Sequence, residues 1–70
     1  MFGYMNRLYI LERTRDGKRV EFYSEFRNGK QTYIIREMDG KSQDSVTTDL
    51  EVVAAFRQRL LRDGYLQVPL

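Results

Sequence analysis

The chain has seventy residues, with twelve Lys and Arg against ten Asp and Glu, a net charge of +2, and neither cysteine nor histidine. This composition excludes disulfides, thiolate metal centres and histidine-activated nucleophiles, and it leaves a zinc site only carboxylates to use. So short a chain makes a single domain over residues 1–70 and buries only about 60% of its unfolded surface, so a homodimer is expected to supply the support that staples cannot.

Met1-Phe2-Gly3-Tyr4-Met5-Asn6-Arg7 lacks the basic-then-apolar layout of a secretory signal. No apolar run approaches the ~18 residues a membrane span requires. With cysteine absent as well, the expectation is a cytoplasmic protein without membrane contact.

Residues 4–14, with Tyr4, Leu8, Tyr9, Ile10 and Leu11, read as a first strand. Asp16-Gly17 marks a turn inside the basic cluster Arg13-Thr14-Arg15-Asp16-Gly17-Lys18-Arg19, which reads as a solvated loop. Residues 19–27 form the clearest strand: Val20, Phe22, Ser24 and Phe26 alternate with Arg19, Glu21, Tyr23, Glu25 and Arg27. Asn28-Gly29 is a two-residue hairpin turn, since both positions must take positive φ. That turn pairs Arg27 with Lys30, and so sets Phe22 opposite Ile35, Ser24 opposite Tyr33 and Glu21 opposite Arg36.

Residues 31–38 are the third strand, closed by a turn at Asp39-Gly40-Lys41. The polar segment 42–47 is either a short edge strand around Asp44 to Thr47 or an extended connection. A helix follows over 48–64. Thr48 and Glu51 have capping-box spacing, Gly64 can close the last turn, and Arg57, Arg59 and Arg62 lie toward the negative end of the dipole. Its apolar arc holds Leu50, Val52, Val53, Ala54, Phe56, Leu60 and Leu61, with Arg57 inside the arc. The stem of Arg57 either lies on the sheet with its guanidinium in water, or the group meets an anion or carboxylate. The segment 65–70 is too apolar for an idle tail and packs either on the core or on a neighbouring subunit.

The fold class expected is α+β: a three- to four-stranded antiparallel meander followed by one C-terminal helix packed on one face, βββ(β)α. One helix covers one face of such a sheet. The covered face would carry Leu8, Ile10, Val20, Phe22, Phe26, Tyr33 and Ile35. The uncovered face would carry Arg7, Tyr9, Leu11, Arg13, Arg19, Tyr23, Arg27, Ile34 and Arg36. This assignment takes a three-residue loop with a glycine bulge at Asp16-Gly17; a two-residue loop would swap the faces of the first strand.

The meander followed by a helix carrying Val53-Ala54-Ala55-Phe56-Arg57 resembles the repeat of the PUR (purine-rich element binding) family. The element order is also similar to that of the single-stranded-DNA-binding coactivators called positive cofactor four. The resemblance spans about residues 19–62 and implies a dimer that binds single-stranded nucleic acid through its sheet. No binding residue carries over from it, because the matching positions lie on the helix. Glu21 and Glu25, on the sheet, depart from such a platform.

Two functional readings follow. One is a small non-enzymatic interaction or regulatory protein, homodimeric, that binds a protein partner through the uncovered sheet face or an edge. The other is a single-stranded DNA or RNA binder in which bases stack on tyrosines while arginines track phosphates. Both nominate Arg7, Tyr9, Arg19, Tyr23, Arg27 and Arg36. No cofactor or metal is expected. Catalysis is disfavoured: Ser24, Ser42 and Ser45 have no activating base, facing pairs among Glu12, Glu21, Glu25 and Glu37 arise in any charged sheet, no glycine-rich phosphate loop exists, and so short a chain has little room for a pocket of ~300 Å³.

Overall fold

Strand β2 (Lys18–Arg27) is the middle of the sheet, and the alternation in its sequence decides what lies above and below it. A computed structural model describes residues 5–69. Tyr4, where the first predicted strand begins, and Leu70, at the end of the apolar tail, lie outside the described residues.

The elements run β1 (Met5–Arg13), β2, β3 (Lys30–Asp39), β4 (Lys41–Thr47), α1 (Leu50–Arg62) and β5 (Leu66–Val68). Among the described residues they form one antiparallel sheet of five strands in the order β4-β3-β2-β1-β5, with a single helix. The α+β class is as expected, but the tail contributes a fifth strand: β5 pairs with β1, setting Val68 opposite Ile10 and Leu66 opposite Glu12. The polar segment after Gly40 is a full edge strand rather than a short one.

The β2–β3 hairpin has the predicted register, with Arg27 on Lys30, Ser24 on Tyr33, Phe22 on Ile35 and Glu21 on Arg36. Its turn residues, Asn28 and Gly29, have φ of 53° and 75°, as a type I′ turn requires.

The first strand departs from its predicted faces. Arg13 pairs with Lys18, so residues 14–17 make a four-residue loop, closed by the Gly17 N–H donating to the Arg13 carbonyl at 2.8 Å. That loop sets Leu11 opposite Val20 and Tyr9 opposite Phe22. A bulge at Leu8 then shifts the pairing by one, and Arg7 faces Tyr23. Leu11 is therefore in the core, fully buried, whereas Ile10 is buried on the opposite face beside Glu21. Below the bulge the predicted face holds for Arg7; above it, Tyr9, Ile10, Leu11 and Arg13 lie on the face opposite to the one predicted.

The core joins Leu11, Val20, Phe22 and Ile35 of the sheet to Val53 and Leu60 of α1 and to Tyr65. Leu8, Tyr9, Tyr33, Phe56 and Leu61 pack around them. The buried stripe of α1 is narrower than its apolar arc: Leu50, Val52 and Ala54 remain exposed. Phe26 has the parity of Phe22 but is 61% exposed. The helix leaves β4 at Thr47, the end of the sheet carrying Tyr33 and Ser24, and ends against Arg13 at the other end of β1. Phe26 pairs with Gln31, on the part of the β2–β3 hairpin that extends past the Tyr33–Thr47 level where the helix begins, so α1 leaves it uncovered.

Both helix ends are capped. The N-cap is Asp49, not Thr48, and its carboxylate accepts from the Glu51 N–H at 2.9 Å. Thr47 Oγ1 accepts in turn from the Asp49 N–H. At the other end Gly64, φ 92°, lets its own N–H reach the Leu61 carbonyl and the Tyr65 N–H reach the Leu60 carbonyl. This is a Schellman closure, and its accompanying apolar contact is Tyr65 with Leu60 in the core. The sequence placed Gly64 there correctly.

Candidate functional site

The face of the sheet away from α1 is built by the odd-numbered positions of β2 and their cross-strand partners. Register places Arg7, Ile10 and Glu12 of β1, Arg19, Glu21, Tyr23 and Glu25 of β2, Ile34, Arg36 and Met38 of β3, and Asp44 and Val46 of β4 on this open face. Of the nominated residues, Arg7, Arg19, Tyr23, Arg27 and Arg36 are brought together here.

Tyr9 is not among them. The register set by the four-residue loop puts it on the covered face, where its ring meets Phe22 edge-to-face at 5.8 Å and the Arg57 guanidinium lies 4.9 Å from its centroid. Arg57 also donates to Gln67 Oε1 through Nε (3.2 Å) and Nη2 (2.6 Å). Of the two settings foreseen for Arg57, the first is closer: its stem crosses the sheet and its charge meets an aromatic ring and an amide rather than an anion. Arg13 is likewise on the covered side. It pairs with Asp16 at 2.7 Å, donates to the Asp63 carbonyl at the end of α1, and sits 4.7 Å from the Tyr65 ring.

On the open face the cations are held by carboxylates of the same face. Arg19 bridges Glu12 (3.1 Å) and Glu21 (2.9 Å). Arg27 grips Glu25 through Nε at 2.6 Å and Nη2 at 2.5 Å. Arg36 pairs with Asp44 through two parallel bonds of 2.9 and 3.1 Å, the fork geometry that makes arginine–carboxylate pairs strong. Arg36 faces Glu21 in register, as predicted, but its guanidinium goes to Asp44. Arg7 alone of the nominated arginines makes no ion pair among the described residues.

Tyr23 is the hub. Its hydroxyl donates to Glu21, and the guanidiniums of Arg7 and Arg36 lie 5.9 and 5.4 Å from its ring centroid. Glu21 and Glu25 are buried although, among the described residues, no helix or strand packs over them. The Tyr23 hydroxyl, and after it Arg19, holds the Glu21 carboxyl below its ordinary value. Arg36 does the same for Asp44, and Asp44 in turn raises Arg36. Ile10 and Ile34 are buried beside these groups, and Met5, Val46 and Leu66 are exposed on the rim. The face is therefore a charge-paired centre with apolar edges.

Glu12 and Asp44 belong to this network, and no face was assigned to either from sequence. The signal for Asp44 was present: a turn at Gly40 that pairs Asp39 with Lys41 sets Asp44 opposite Arg36.

An open-sided cleft of about 580 Å³, larger than so short a chain was expected to form, lies past the end of α1 on the covered side, lined in part by Lys18, Glu37, Lys41 and Tyr65. Lys18 there pairs with Asp39 at 3.4 Å. Among the described residues no three acidic side chains gather as a metal-binding group, and no helix is long and apolar enough to cross a membrane. No family model, curated protein or solved structure matches the chain.

Proposed function

We propose that this chain is a non-enzymatic interaction protein that acts as a homodimer and docks another protein chain on the open face of its sheet. The observation that carries this reading is the pairing of Arg19, Arg27 and Arg36 with Glu12, Glu21, Glu25 and Asp44 on the same face. A surface whose cations are already neutralised gains little from phosphate, because counterion release requires free positive charge. It suits a protein surface, where arginine and tyrosine anchors with an apolar rim are the groups that contribute most.

The same pairing weighs against the single-stranded nucleic-acid reading. Of its two tyrosines, Tyr9 is turned to the covered side, and Tyr23 already has guanidiniums against its ring. The partner's side of the interface would present a carboxylate to Arg7 and apolar groups to Val46 and Leu66.

A photo-crosslinking side chain introduced at exposed Val46 tests the reading in the cells that express the protein. The expected product is a covalent adduct with a different polypeptide, lost when Tyr23→Ala is added. Adducts with nucleic acid, or none with any other chain, would refute it.

A further inference from the structure

The outer side of α1 carries a second surface, unrelated to the sheet. Val52 is 47% exposed although it is large and apolar. Val52, Ala55, Phe56, Arg59 and Arg62 line a shallow groove of about 400 Å³. Positions 52, 55, 59 and 62 recur at intervals of three and four, which is the spacing of a stripe that packs against another helix. Ala55, at its centre, is small enough to let a second backbone approach closely.

The charges on this stripe are arranged by sign. Glu51 lies in the first turn of α1, and Arg59 and Arg62 lie in the last. None of the three makes an ion pair among the described residues. Arg59 is stacked 5.0 Å from the Phe56 ring, at the edge of the groove. An acidic start and a basic end on one helix are complementary to the same helix turned end for end. A two-fold axis near Ala55 would bring Glu51 of each copy to Arg59 and Arg62 of the other, and it would set the two helix dipoles antiparallel.

From this self-complementarity we infer that the occupant of the groove is a second copy of this chain, with α1 packed antiparallel on its counterpart. This rests on the dimer reading above and not on the docking role of the sheet. It leaves both open sheet faces pointing outward, so one dimer presents two identical docking surfaces.

The test is the dissociation constant of the purified protein by sedimentation equilibrium, with circular dichroism to confirm that each variant is folded. Glu51→Arg and Arg62→Glu, each alone, place like charges across the axis and should weaken the dimer by about tenfold or more. Exchanging all three, Glu51→Arg with Arg59→Glu and Arg62→Glu, restores complementarity and should recover most of that loss. Ala55→Tyr, at an exposed position, should also dissociate the dimer without unfolding the monomer. A dimer unmoved by all of these variants, or one dissociated by Tyr23→Ala instead, would overturn the helix interface while leaving a dimer in place. A wild-type chain that stays monomeric at every concentration would overturn the dimer reading and this inference together, and would leave the sheet face to be judged on its own.

Discussion

The hydroxyl of Tyr23 donates to the carboxylate of Glu21, two residues back along the same strand and on the same face. Strand periodicity makes this contact geometrically natural, and burial gives it energetic weight, because Glu21 is only 5% exposed. Tyr23→Phe keeps the ring and removes the donor. The expected loss is about 1–2 kcal/mol of stability in urea denaturation. The Glu21 carboxyl should also move up toward its ordinary value, since the Tyr23 hydroxyl is the main cause of its lowering. An NMR titration of that carboxyl that is the same in both proteins would contradict the assignment.

Leu11 separates the observed fold from its nearest alternative. It is fully buried on the covered face, and Leu11→Ala should cost about 2–5 kcal/mol. Were strand one to have the faces that strict alternation from Arg7 implies, Leu11 would be on the open sheet and the change would be mild. Thermal or urea unfolding of the one variant decides between the two registers.

The contrast between the two hairpins shows how much was legible. Asn28-Gly29 admits essentially one turn, so every pairing along β2 and β3 followed from it. Asp16-Gly17 admits loops of several lengths, and the choice decides which side each residue of β1 takes. The bulge at Leu8 leaves no mark in the local residue pattern; it is fixed by how Tyr9 and Arg7 meet Phe22 and Tyr23, a tertiary fact. Five of the six nominated residues therefore share a face, and Tyr9 does not. The fifth strand was hidden for a similar reason, because three residues after Gly64 carry too little pattern to announce a partner as distant as β1.

Gly64 supports the helix end through backbone geometry alone. A Cβ there would meet nothing closer than the Arg13 side chain at 3.7 Å, an ordinary contact. The cost of Gly64→Ala is therefore that of holding an L-residue at φ 92°, about 1–2 kcal/mol. Equilibrium unfolding should show this loss, and it should exceed that of Ala54→Gly by little, since glycine in a helix interior costs about 1 kcal/mol.

Acid should weaken the fold in a defined window. Asp16 is held at about 2, against an ordinary 3.8, chiefly by the Arg13 guanidinium, and Glu21 and Asp44 are lowered as well. A carboxyl lowered in the folded state binds its proton first in the unfolded chain. Its contribution is thus complete above the unfolded value and is lost as pH falls through the folded one. Stability should be level near neutrality, decline below about pH 5 and reach its acid limit only below the folded Asp16 value of about 2. In Asp16→Asn the wild-type and variant curves should converge at the acid end.

Whether the arginines of the open face are occupied by their own carboxylates is tested by titrating labelled single-stranded DNA and RNA at two salt concentrations. The expected result is weak, non-specific binding with Kd no tighter than ~10⁻⁴ M, changed little by Tyr23→Ala. Binding tighter than about 1 μM that falls by ~10³-fold between about 50 and 200 mM salt, and that is lost in Tyr23→Ala, would show the face to be a nucleic-acid platform and would contradict the account.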